Sequence, residues 1–444
     1  MVKDQILQAF EVFKKTFHSQ DPAWIKSLRE DAMASFTKLG FPTLRDEEWK
    51  YTSVEPLVRD SFRFVFEPSS NGTAIQKIAP FLLGSPNWNR LVFVNGLYAK
   101  EESHLSGAAE GLKVGSLKEA LRSEPDSIKD FLARRADFKK NAFTALNTAF
   151  IHDGAFISLP PGVILEEPIH LVFLSTSGKE KIISQPRKLV IAGEGSQANI
   201  IESHLSLNGG IYFTNTVTEI FLHPGARIDY YQIQRESENA FHVAATRVAS
   251  GRDTSFSSHV FSFGALLSRN NLEVDLNDEG SECVLNGLYV VTDTRHVDHH
   301  TVIDHAKPHG RSHQLYKGIL SDKGRAVFNG KIVVRQDAQK TDAHQTNKNL
   351  LLSEGATVDT KPQLEIFADD VKCTHGAAVG QLEEEMLFYL KSRGIGEENA
   401  RNLLTYGFAS EVIQEAKLEP VRSELNQLLW KALGRSVPAE VMVP

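Results

Sequence analysis

Cysteine, histidine and aspartate are the residues whose spacing here could do chemistry. Cys373-Thr374-His375 sets a thiol and an imidazole two positions apart. In an extended segment, residues at even separation share a face and lie about 6.6–7 Å apart along the strand. Both groups could then reach one iron–sulfur cluster, for which thiolate and imidazole are accepted ligands. The motif follows Asp369-Asp370-Val371-Lys372 and precedes Gly376, a polar, turn-like setting. Cys283 holds an apolar place in a repeat described below and reads as buried core, the commonest role of a free cysteine. The two cysteines are 90 positions apart and no C-x-x-C occurs, which excludes a disulfide framework and a self-contained zinc knuckle.

Histidine is the unusual entrant among residue types. There are 16, and six of them (His296, His299, His300, His305, His309 and His313) fall within 18 residues. Asp298-His299-His300, with Asp293 and Asp304 nearby, resembles the D-H-H of metal-dependent phosphoesterases, since carboxylate and imidazole together suit a divalent-metal hydrolase. That chemistry needs further aspartate motifs on α/β elements, whereas this stretch reads as strand and turn. On a strand, adjacent His299 and His300 point apart, and His296 shares a side with His300 only if the strand is unbroken. The plain reading is a set of hydrogen-bonded imidazoles. Two nucleotide motifs also fall short. Gly193 to Ala198 fits G-x-G-x-x-A but continues as strand rather than as a helix. Gly324 to Gly330-Lys331 has five residues between its glycines and Ile332 where a phosphate loop needs Ser or Thr. Turns are expected at both, with no nucleotide bound.

The elements that must position these residues change in texture along the chain. Leu7, Phe10, Phe13 and Phe17, then Trp24, Leu28, Ala32 and Phe36, make helical stripes on either side of Asp21-Pro22. Phe62 to Phe66 is strand-like, Leu91 to Gly96 carries a hairpin signal, and Ser116 to about Phe150 is helical in pattern. From Ile151 the chain is rich in Val, Ile, Thr and Phe with no long helical period. A glycine, a small residue, a polar one and an apolar one recur at Gly195, Gly225, Gly280 and Gly355, with looser members at Gly251 and Gly324; successive gaps are 30, 26, 29, 44 and 31 residues. Ala198, Ile228, Cys283 and Val358 take the apolar place. A turn and a strand at a near-constant step predict a solenoid of stacked β-coils, ahead of an antiparallel sandwich, which turns every 8–12 residues or so. Asn399 to Ala416 and Leu418 to Leu433 return to helix, with Pro420 in the first turn of the second. The expected layout is a mostly helical domain over 1–150, a β-solenoid over 151–380 and a helical domain over 381–444.

Composition limits the function classes. The 49 basic and 56 acidic residues give a net charge of −7, with 41 % hydrophobic and 24 % charged residues, a globular mix without the positive surplus of a nucleic-acid binder. No run of about 18 apolar residues appears, so no membrane span is expected. The first residues lack an apolar signal core, which points to the cytoplasm.

Three runs carry a family resemblance: Ala338 to Gln345 with Asn349 to Ser353, Pro362 to Ile366 with Ala368 to Ala377, and Phe388-Tyr389-Leu390 with Ser392 to Ile395. Gly40-Phe41-Pro42 and Glu48-Trp49-Lys50-Tyr51-Thr52 extend them upstream. Together they resemble the SufB/SufD family of iron–sulfur cluster assembly scaffolds, on the SufD branch; Ala378 departs from an expected Thr. The resemblance implies a right-handed parallel β-helix between helical domains. It implies a non-catalytic subunit that pairs with a SufB paralogue through the β-helix and docks the ATPase SufC on the C-terminal helices, and leaves open a homodimer of the isolated chain. His375 and Cys373 would serve a transient iron–sulfur cluster at the subunit interface, built there for transfer to apoproteins. One thiolate and one imidazole cannot fill a four-ligand shell, so a partner must supply ligands or the cluster is passed on. The competing classes are the phosphoesterase and a β-helical carbohydrate-active enzyme, which would need paired carboxylates on one solvent face.

Overall fold

The computed structural model describes residues 3–17, 21–67, 78–106, 110–178 and 180–434. From Ala155 to Gly380 strands alternate between two sheets, each pairing in parallel with the strand of the next coil. The first sheet contains, from its early end, Ala155–Leu159, Arg187–Ala192, Tyr212–Leu222, Phe241–Ser250, Leu267–Leu276, His296–His305, Arg325–Val334 and Thr357–Ile366. The second contains Ile169–Ser175, Gln197–Ser206, Arg227–Arg235, Ser255–Ser262, Glu282–Val291, Arg311–Leu320, Asp342–Leu351 and Lys372–Gly380. The result is a mainly β, parallel β-solenoid of about eight coils with helices before and after, as expected.

Stacking in register gives each inward position a column of equivalents. Ala198, Ile228, Phe256, Cys283, Ser312, Ala343 and Cys373 are successive rungs of one column. Val358, grouped with them by the glycine repeat, instead belongs to the first sheet. The anomalous 44-residue gap has the same cause. Gly195, Gly225 and Gly280 take φ of 65°, 71° and 72° at the corner leading into the second sheet, a conformation glycine adopts freely. Gly324 and Gly355 sit at the opposite corner, where a Cβ would come within 2.6 Å of the Val291 carbonyl and 2.4 Å of the Asp322 carbonyl. The long gap is a full coil plus the half coil that changes corners.

The N-terminal helices Lys3–Phe17, Ala23–Leu39 and Ala142–Ala149 bury Phe10, Phe13, Phe36 and Phe143 against the outer face of the first sheet, on Phe213, Phe241, Val243 and Leu267. Asn89–Val94 and Lys113–Ser116 extend the two sheets, and Asn95-Gly96, both at positive φ, turn the predicted hairpin. The 116–150 stretch is three short helices rather than one. Its interruption is held by Glu219, whose buried carboxylate accepts from Arg187 at 2.5 Å and from the backbone N–H of Ala133, Arg135 and Ala136. At the other end, Glu397–Ile413 and Glu419–Ala432 lay Val412, Ile413, Val421, Leu425 and Leu429 on Tyr231, Ile233, Phe261, Leu288 and Ile319 of the second sheet.

Candidate functional site

Cys373 and His375 lie on Lys372–Gly380, the strand that ends the second sheet. Because the segment is extended and continues the parallel ladder, both occupy inward rungs: Cys373 pairs with Ala343 and His375 with Gln345. Cys373 is half-buried against Ala343, Ile332, Val334 and Ala368. His375 is exposed, at the end of a polar column in which Gln345 donates to Gln314 at 2.7 Å and Gln314 to Thr301 at 2.6 Å. The shared face expected from the spacing is present. The contrast drawn between the cysteines holds in exposure, Cys283 being buried and Cys373 half-buried, but not in position: both stand in one inward column, and Cys373 has no coil beyond it.

Burial, reinforced by Asp342, pushes the Cys373 thiol above its ordinary value. The group therefore rests as the thiol, and ligation of a metal there would release its proton to solvent. Cys283 is pushed up much further by burial alone, as befits a core residue. Around the motif the end of the solenoid is open and partly apolar: Ile366, Phe367 and Val379 are exposed. On the outward face of the same strand Thr374 meets His344 Nδ1 at 2.7 Å, while His344 Nε2 lies 2.9 Å from Asp342. His344 and His313, stacked a rung apart with ring centroids 6.5 Å from each other, extend the imidazole supply at this end. Both were visible as residues in the sequence, but only the coil length aligns them.

The histidine-rich strand does something else. His296–His305 is unbroken, so His299 and His300 do point apart and His296 and His300 share the outer face with Asp298. There Asp298 accepts from Thr52 at 2.6 Å and Arg269 at 2.7 Å, His300 lies 3.0 Å from Asp298 and 3.2 Å from Glu48, and the Arg269 guanidinium sits 3.9 Å over the Trp49 ring. Burial raises the Asp298 carboxyl, but Arg269 and His300 outweigh it and hold the group far below the usual range. The network bolts the Glu48 to Thr52 segment to the sheet. Inward, His299 packs between Tyr289 and Tyr316 and His305 lies 2.9 Å from Ser312. None of the six histidines joins a group of three or more ligand-type side chains close enough to share an ion, among the described residues. A cleft of about 580 Å³ beside this network is lined by charges already paired, including Arg247 with Glu273 and Lys331 with Glu365. Lys331 itself stands in the continuous strand Arg325–Val334, so the near phosphate loop is a corner and a strand.

Comparison with known proteins bears on this geometry. Residues 173–408 match the SufBD core domain of the SUF system for FeS cluster assembly, and residues 1–171 match the SufBD protein N-terminal region. The chain is 34 % identical to the iron–sulfur cluster assembly protein SufD of Escherichia coli, over 90 % of either chain. It is 33 % identical to an iron–sulfur cluster assembly SufBD family protein of Synechocystis, over 96 % of this chain and 94 % of the relative. With SufD of Bacillus subtilis the identity is 27 %, over 92 % and 94 %.

Proposed function

Because the chain belongs to the SufBD family of iron–sulfur cluster assembly proteins, we propose that it is the SufD-like scaffold subunit of a SufBCD-type complex and helps build a nascent cluster for delivery to apoproteins. The observation that carries the reading is the open end of the solenoid, where Cys373 and His375 share the inward face of a terminal strand. A terminal parallel strand offers unpaired backbone groups to a second chain. A SufB-like paralogue that abuts this end would cover Ile366, Phe367 and Val379 and bring the ligands that one chain lacks. The cluster is cargo: iron displaces the Cys373 proton to solvent, the exposed imidazole of His375 offers a ring nitrogen, and the remaining positions fall to the partner.

Hydrolysis of ATP belongs, in this reading, to a SufC-like partner on the C-terminal helices. The support is an unspent apolar surface: Phe388 is 74 % exposed, Tyr389 56 % and Met386 52 %, all on Glu384–Ser392. No described helix is long and apolar enough to cross a membrane, and the reading takes the complex to work in the cytoplasm.

The test is made in the co-expressed complex. His375→Ala should leave assembly and melting temperature nearly unchanged yet abolish cluster build-up, and Cys373→Ala should weaken it. Native rates of cluster formation in both variants and in their double mutant would remove the assignment.

A further inference from the structure

A second group of ligand-type side chains lies deep inside the early coils, apart from the open end. His204 on Gln197–Ser206, Glu236 just after Arg227–Arg235 and His242 on Phe241–Ser250 are buried, and their donor atoms lie within 4.8 Å of one another. Two of the three are held as metal ligands usually are, by outer-shell hydrogen bonds that fix tautomer and orientation. His204 Nε2 is 2.5 Å from Glu202, which is itself anchored by Lys188 and the Tyr230 hydroxyl, so a proton on Nε2 leaves the lone pair on Nδ1. Glu236 accepts from Thr214 at 3.0 Å and from Gln234 at 3.1 Å. The third, His242, is 4 % exposed, and its Nδ1 makes no hydrogen bond although Glu236 Oε2 is 2.7 Å away. An imidazole nitrogen this close to a carboxylate oxygen, yet out of line for a hydrogen bond, is placed to share a cation with it.

We propose that His204, Glu236 and His242 hold one zinc-class divalent transition-metal ion as a structural tie between the early coils. Two imidazoles and one carboxylate suit zinc, cobalt or ferrous ion rather than calcium or magnesium. The three side chains are only 3–6 % exposed, so the ion is taken up as the chain folds and, once enclosed, exchanges slowly. This role is independent of the cluster chemistry proposed for Cys373 and His375.

The test uses the full chain carrying Cys373→Ala and His375→Ala, which removes the terminal ligands. The protein is unfolded in guanidinium with EDTA, refolded with or without Co²⁺, and then washed with EDTA, which strips exposed sites such as His313 and His344. We expect about one Co²⁺ per chain to survive, with the visible bands of a low-coordinate N/O site, and a higher melting temperature than in the ion-free sample. His242→Gln, or Glu236→Gln if the former does not fold, should lower retention by about tenfold or more. Retention below about a tenth of an ion per chain would overturn the proposal. So would an unchanged melting temperature, or equal retention in a folded variant.

Discussion

The inward column that ends in Cys373 has opposite chemistry at its two cysteines, and solvent is the cause. Cys283 packs in the apolar interior with no polar neighbour bonded to it, so Cys283→Ser buries an unpartnered hydroxyl and should cost about 1–3 kcal/mol in a denaturant titration. At Cys373 the raised thiol value has a kinetic consequence. The proton must leave before iron binds, so cluster loading at fixed iron and sulfide should rise from about pH 6.5 to 8.5 and lose that slope in Cys373→Ala. A native profile as flat as the variant's would show that the thiol is not a ligand. On the outer face, Asp298→Ala leaves Arg269 buried without its carboxylate and should cost about 3–5 kcal/mol. The sequence disclosed the shared face of Cys373 and His375, because strand periodicity is local. It did not disclose that Cys373 and Cys283 share a column, nor that His204, Glu236 and His242 converge. Both depend on coil length and corner, which lie beyond any local pattern.

Between residues and whole, the helices show which apolar stripes are spent and which are free. Leu425 and Leu429 of Glu419–Ala432 are fully buried on the second sheet, so Leu425→Ala should cost about 2–5 kcal/mol by lost burial and cavity. Phe388 and Tyr389 bury little within the chain. Phe388→Ala with Tyr389→Ala should therefore leave stability within about 0.5 kcal/mol while weakening capture of a SufC-like ATPase by tenfold or so. Full capture by the double variant in a pull-down would move the docking surface elsewhere. Removing Glu397–Ile413 and Glu419–Ala432 outright is a poorer test, because it uncovers Tyr231, Ile233 and Phe261. The helical periods from 399 to 433 were legible, but not their division of labour. Leu403 is 41 % exposed, whereas Val412 and Ile413 of the same helix face the sheet.

At the scale of the molecule, the solenoid encloses imidazoles that fold in neutral form. Burial lowers His152 and His170 to about 3 and His259, His299 and His305 to about 4. Since these folded-state values lie below the ordinary 6.5, the unfolded chain binds more protons in acid. Stability is therefore full above about pH 6.5 and falls toward pH 4, by up to roughly 3 kcal/mol per histidine. Urea midpoints unchanged between pH 7 and 4.5 would contradict this. The stacking itself has another outcome. Equal coils laid one on another form a one-dimensional lattice in which every interior layer is gripped from two sides and the last layer from one. Lys372–Gly380 is that last layer, and it carries Cys373 and His375, the ligands proposed for the cargo. Its amides should exchange with deuterium faster than those of Glu282–Val291 in the isolated chain and slow sharply once a paralogue supplies the next layer. A scaffold arranged in this way keeps its ligands loose until its companion arrives, so that the order of assembly is timed by the growth end of the stack.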